Sequence, residues 1–118
     1  MELKRYSLLN PPAHRCDAVE AGNSLYVSGL VADDRGGSIQ EQARQTLEKL
    51  DQVLSAAGTD KSMVIWANVW LQEIGDYDSF NQVWNSWIAP DSAPARACVG
   101  AALALPGAKV EIAVIAQK

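Results

Sequence analysis

Between Ser38 and Gly58 the apolar residues Ile39, Ala43, Leu47, Leu50, Val53, Leu54 and Ala57 recur mostly at steps of three and four. That period predicts an amphipathic helix of about five turns. Ser38 opens it, with Glu41 three residues on as a capping-box partner, and Gly58 follows as a left-handed stop. Glu41, Arg44, Glu48, Lys49 and Gln52 fall on the opposite, solvated side. A helix with one apolar stripe needs an apolar surface to lie on, and the rest of the chain has to supply it.

The flanking segments change period. Cys16 to Glu20 and Leu25 to Ser28 read as a β-hairpin with its tight turn at Gly22-Asn23. Gly29 and Asp33 to Gly37 read as a loop. Met63 to Leu71 is a continuous apolar run, predicting a central strand buried on both faces. Phe80, Val83, Trp84, Trp87 and Ile88 then give a second helix, ended by Pro90. Arg96 to Leu103 and Lys109 to Ala116 are the last two strands, joined through Pro106-Gly107. The order is hairpin, helix, strand, helix, strand, strand, which predicts an α+β fold with two helices on one face of a mixed sheet. No third helix is available for the other face, so self-association through it is expected. With 118 residues, 48% hydrophobic, and no internal repeat, linker or low-complexity segment, residues 1–118 read as a single domain.

Composition excludes several classes. Ten Lys and Arg against 14 Asp and Glu give a formal charge of −4, and no like-charge run reaches five. An acidic chain without a basic stripe is a poor binder of nucleic acid. No stretch of about 18 apolar residues exists to span a membrane, and the N-terminal residues lack the apolar core of a signal peptide. One histidine and two distant cysteines are too few for a metal site, and no Gly-rich phosphate loop occurs. A cytoplasmic protein with reduced thiols is expected.

A few polar residues stand out inside the apolar runs. Arg96 begins a strand of small and apolar neighbours; it either snorkels at a sheet edge or grips a carboxylate in a bidentate fork. Glu111 points away from Val110 and Ile112, either to solvent or into a pocket where it could serve as a general base. On neighbouring strands, these side chains together suggest a site for a small carboxylic acid. Cys98 shares a strand face with Arg96 and is either a small buried hydrophobe or a catalytic cysteine. His14, the only possible histidine partner for a nucleophilic cysteine, is remote in sequence. Ser28-Gly29 ends a strand, where a hydroxyl and a backbone N–H could meet an anionic oxygen. Asn81 sits among the aromatics of the second helix, bonding backbone or lining a pocket.

Taken in order, Leu25-Tyr26-Val27-Ser28-Gly29, Gln42 to Leu54 with Ala57-Gly58, Val69-Trp70-Leu71, Asp76 to Asn81, Pro94 to Val99 and Val110-Glu111-Ile112 resemble the Rid family, the YjgF-like enamine and imine deaminases. The second helix, with Asn81, Trp84 and Trp87, and Arg15-Cys16 look closest to its YoaB-like branch. The resemblance implies a chorismate-mutase-like α+β fold, a homotrimer, and ligand clefts between subunits. It implies that Arg96 binds the substrate carboxylate and that Glu111 serves the hydrolytic water. Ser28, Gly29, Asn81 and Cys98 would line the cleft. The substrates implied are 2-aminoacrylate-like enamines and imines, hydrolysed to 2-oxo acids and ammonia without a cofactor. Family deaminases carry a Gly-Pro-Tyr segment whose tyrosine reaches the cleft; here the stretch is Ala13-His14-Arg15. Arg15 either adds a second positive charge, favouring a dicarboxylate, or faces solvent. The alternative function is a non-catalytic protein that binds or senses a small 2-oxo acid.

Overall fold

A computed structural model describes residues 2–118. Six strands, β1 (Leu3–Tyr6), β2 (Ala18–Ala21), β3 (Ser24–Leu30), β4 (Val64–Leu71), β5 (Ala95–Gly100) and β6 (Val110–Gln117), form one sheet in the order β1-β2-β3-β6-β4-β5. Helices α1 (Ile39–Ala56) and α2 (Tyr77–Trp87) cover one face. The α+β layering and the mixed sheet are as the sequence predicts. No helix among the described residues is long and apolar enough to cross a membrane.

Local chemistry sets the element ends. Gly22 takes a φ of 59° in the two-residue β2–β3 turn. Ser38 Oγ accepts the Glu41 N–H at the start of α1. At its end Gly58, at φ 81°, lets the Thr59 and Gly58 N–H groups bond the Leu54 and Ser55 carbonyls. These paired bonds form a Schellman motif. Leu47, Leu50, Val53 and Leu54 of α1 and Phe80 of α2 are buried with Leu25, Val69, Leu71, Ile112 and Val114 of the sheet.

Three features depart from the sequence reading. The N-terminal strand β1 pairs with β2 although Leu3, Lys4 and Arg5 are all exposed; no burial pattern marks it. Strand β6 lies between β3 and β4, antiparallel to both, so β4 separates it from β5. The strands carrying Arg96 and Glu111 are therefore not neighbours. Strand β4 is interior but lies next to the edge strand β5, and it is not buried on both faces. Ala67, Val69 and Leu71 face the helices, whereas Ile65 is 47% and Trp66 36% exposed. Among the described residues nothing covers the second face, because right-handed crossovers bring both helices to the same side.

Candidate functional site

Arg96 and Cys98 are in register with Ala67 and Val69 across the parallel β4–β5 ladder, so both point to the helix-covered face. There the Arg96 guanidinium meets the first turns of α2. Its carbon lies 5.1 Å from the Trp84 ring centre and 5.8 Å from those of Tyr77 and Phe80. Nη2 donates to the Tyr77 hydroxyl at 3.4 Å, while Nη1 is buried without a partner. Among the described residues no carboxylate lies within ion-pair distance of it. Aromatic faces attract a cation by about 0.5–2 kcal/mol each but do not neutralise it. Arg96 is thus a fixed cation without a counter-ion. Asn81, on the same stripe of α2, has a buried Oδ1 that is also unpartnered. Cys98 is half-buried; burial raises its thiol pKa, and the Arg96 charge pulls it partly back.

Glu111 is elsewhere. It is in register with Trp70 on the bare face of the sheet. Its side chain lies across Gly29, in space that a Cβ there would share, 2.9 Å from the carboxyl carbon, so a larger residue at 29 would push the carboxylate aside. A cavity of about 290 Å³ lined by Trp70, Ala101, Ala102, Leu103, Ala104 and Glu111 opens beside it. Ser28 and Gly29 do not end their strand as the sequence predicts: β3 runs on to Leu30, and the two residues occupy an irregularity in the β3–β6 register. Ser28 Oγ donates to the Cys16 carbonyl at 2.6 Å. Arg15 is partly exposed, and its Nη1 meets the buried Asp17 carboxylate at 3.4 Å. A larger cavity of about 440 Å³, lined by Arg44, Asp51 and Trp87 among others, opens between α1 and α2 and contains none of these side chains. No three of His, Cys, Asp and Glu gather to hold a metal ion among the described residues.

The site residues therefore fall into two groups on opposite faces of one sheet: Arg96, Cys98 and Asn81 with the α2 aromatics, and Glu111 and Gly29 with Trp70. A family model described as Endoribonuclease L-PSP matches residues 8–118. The chain belongs to the Rid/YjgF family.

Members of known sequence and structure agree. The RutC family protein YoaB of Escherichia coli is 33% identical over 108 residues, covering 92% of this chain and 94% of that one. The 3-aminoacrylate deaminase RutC of Acinetobacter baylyi is 35% identical, covering 91% of this chain and 89% of its own. The crystal structure of a YjgF-family protein from Neisseria meningitidis superposes with a TM-score of 0.93 at 36% identity, covering 100% of this chain and 96% of that one. The Rid/YjgF fold thus accounts for the whole sheet and both helices.

Sequence reasoning missed Tyr77, Phe80 and Trp84 as companions of Arg96, and Trp70 as the neighbour of Glu111. The helical period identified Phe80 and Trp84 as buried residues, but which strand they touch depends on tertiary packing. Asp17 was also missed. It is fully buried, and its Oδ2 accepts the Leu8 and Leu9 N–H groups at 2.6 and 2.7 Å. An acidic residue next to Cys16 at a strand start carries no pattern that separates it from a surface turn.

Proposed function

We propose that the protein assembles as a homotrimer and hydrolyses small 2-imino or enamine acids to 2-oxo acids and ammonia. The reaction takes place in clefts where Arg96 of one protomer faces Glu111 of its neighbour. One observation carries the reading: the unpaired cation and the carboxylate lie on opposite faces of the sheet, so a single chain completes no site with both. The likeness to a RutC that deaminates 3-aminoacrylate supports the chemistry.

Arg96 holds the substrate carboxylate in a two-point, charge-assisted grip. Seating imine and water together supplies part of the entropy of their encounter. An enamine first tautomerises to its imine. Glu111 takes a proton from water as the oxygen bonds to the imine carbon, and the nitrogen gains a proton. Glu111 returns the water proton to the nitrogen and then carries the carbinolamine hydroxyl proton the same way, so that the C–N bond breaks and ammonia leaves with the 2-oxo acid. Ser28, Gly29, Asn81, Cys98 and Arg15 would complete the cleft walls. Imines hydrolyse readily in water, so two polar groups suffice. The ribonuclease chemistry in the family description has little support here, because the chain is acidic, at −4.

The test generates 2-aminoacrylate with a serine dehydratase and follows pyruvate formation. Arg96→Ala is expected to abolish both binding and turnover; Glu111→Gln is expected to retain 2-oxobutyrate binding and slow hydrolysis. The two variants, unfolded and reassembled together at equal amounts, reach roughly a quarter of wild-type turnover on top of the residual Glu111→Gln rate, the share of clefts in a randomly mixed ring that carries both intact residues. No recovery contradicts the shared cleft. Unaccelerated pyruvate release with measurable 2-oxobutyrate binding would instead make the protein a metabolite binder.

A further inference from the structure

We propose that Tyr77 is a ligand-contacting residue, whose hydroxyl donates a third hydrogen bond to a carboxylate seated on Arg96. This rests on Arg96 being the carboxylate receptor. Tyr77 is the first residue of α2, and its ring is one of the three around the guanidinium. The three are not equivalent. Phe80 is 0% and Trp84 4% exposed, so they back the cation on the core side, whereas Tyr77 is 41% exposed. Tyr77 is also the one ring of the three with a polar atom on the guanidinium, accepting from Nη2 at 3.4 Å.

That bond uses the phenolic oxygen as an acceptor. A phenol also has one hydrogen to donate, and among the described residues it has no acceptor. An anionic oxygen placed about 2.8 Å from Nη2 on the exposed side, the usual length for such a pair, comes within reach of that O–H. The hydroxyl can accept from the guanidinium and donate to the anion at once. Asn81 Oδ1, an unpartnered acceptor on the same stripe of α2, cannot serve a carboxylate in this way. Tyr77 therefore gives the site a preference for an acid over an uncharged analogue beyond the one Arg96 supplies.

Tyr77→Phe isolates the hydroxyl, because the ring stays over the guanidinium and the helix start is unchanged. Binding of 2-oxobutyrate is measured by calorimetry for wild type, Tyr77→Phe and Arg96→Ala, with unfolding curves for each. The expected result is roughly tenfold weaker binding in Tyr77→Phe, the loss of one hydrogen bond to a charged group, with unfolding shifted by no more than the loss of the one long Arg96 Nη2 bond that the hydroxyl accepts. In turnover, KM rises by the same factor with kcat unchanged, since the bond forms equally in ground and transition states. Wild-type affinity in Tyr77→Phe, alongside lost binding in Arg96→Ala, overturns the role of Tyr77 and leaves the site reading standing. Unaltered binding in Arg96→Ala, or none in wild type, removes the site reading and this inference with it.

Discussion

Arg96 holds a full charge against three rings, and Cys98, two residues along the same strand face, can report on it. Burial raises the Cys98 thiol pKa and the guanidinium lowers it, with burial the larger effect. In a Cys16→Ser background, alkylation by iodoacetamide should therefore inflect above the pH of an ordinary thiol. Arg96→Ala removes the opposing charge, so the inflection should move further up and alkylation at neutral pH should slow. An unmoved inflection would mean that the cation does not act on the thiol. Much of this residue-level picture was legible in the sequence. A charged residue in an otherwise apolar strand stands out, and parity along β5 and β6 put Arg96 with Cys98 and set Glu111 against Val110 and Ile112. Parity works only within a strand, however. It could not relate the faces of β5 and β6, because that depends on sheet order. The separation of Arg96 from Glu111 thus emerged only from the fold.

At the scale of elements, the strongly periodic segments were readable and the weakly patterned ones were not. Both helices and the hairpin follow from periodicity and from the Gly22, Ser38 and Gly58 signals, and β4 from its continuous apolar run. Strand β1 carries no apolar alternation, and it is held by polar bonds instead. Asp17 N–H donates to the Tyr6 carbonyl, and the Asp17 carboxylate accepts from Leu8 and Leu9 N–H and from Arg15. Asp17→Ala should therefore cost about 3 kcal/mol in denaturant unfolding, since it strands two backbone donors. Hydrogen exchange should show the loss concentrated in residues 3–9. A cost below about 0.5 kcal/mol, the usual surface range, would show that strand pairing alone holds β1. Gln42 does comparable work around the start of β6. Fully buried in α1, it donates to the Arg35, Gly37 and Gly107 carbonyls and accepts the Lys109 N–H. It thereby fastens the 33–37 loop to the residues that lead into Glu111. A glutamine in an otherwise helical pattern reads as solvated, so this clamp too was invisible beforehand.

For the whole molecule, the decisive feature is the face without helices. Tyr26 is in register with Ile115, and Ile115 with Trp66; Glu111 is in register with Trp70, and Trp70 with Val99. Tyr26, Trp66 and Val99 are 50, 36 and 49% exposed. Monomeric proteins rarely leave so continuous an apolar surface in water. Covering it with neighbouring copies removes that surface and brings a second chain to the cavity at Glu111. A polar charge in the middle of the face tests both consequences together. Trp66→Glu keeps the fold, because this side chain points away from the helices, but it places a carboxylate where the proposed contact would bury it unpaired. Light scattering behind size-exclusion chromatography should give the mass of three chains for wild type and of one for Trp66→Glu. Circular dichroism should be alike for the two. Because the cation and the carboxylate lie on opposite faces of each chain, the isolated protomer should lose pyruvate release from 2-aminoacrylate even though Arg96 and Glu111 are both intact. A monomeric Trp66→Glu that still turned over at the wild-type rate would show that one chain suffices and that the cleft between protomers is not where the chemistry occurs.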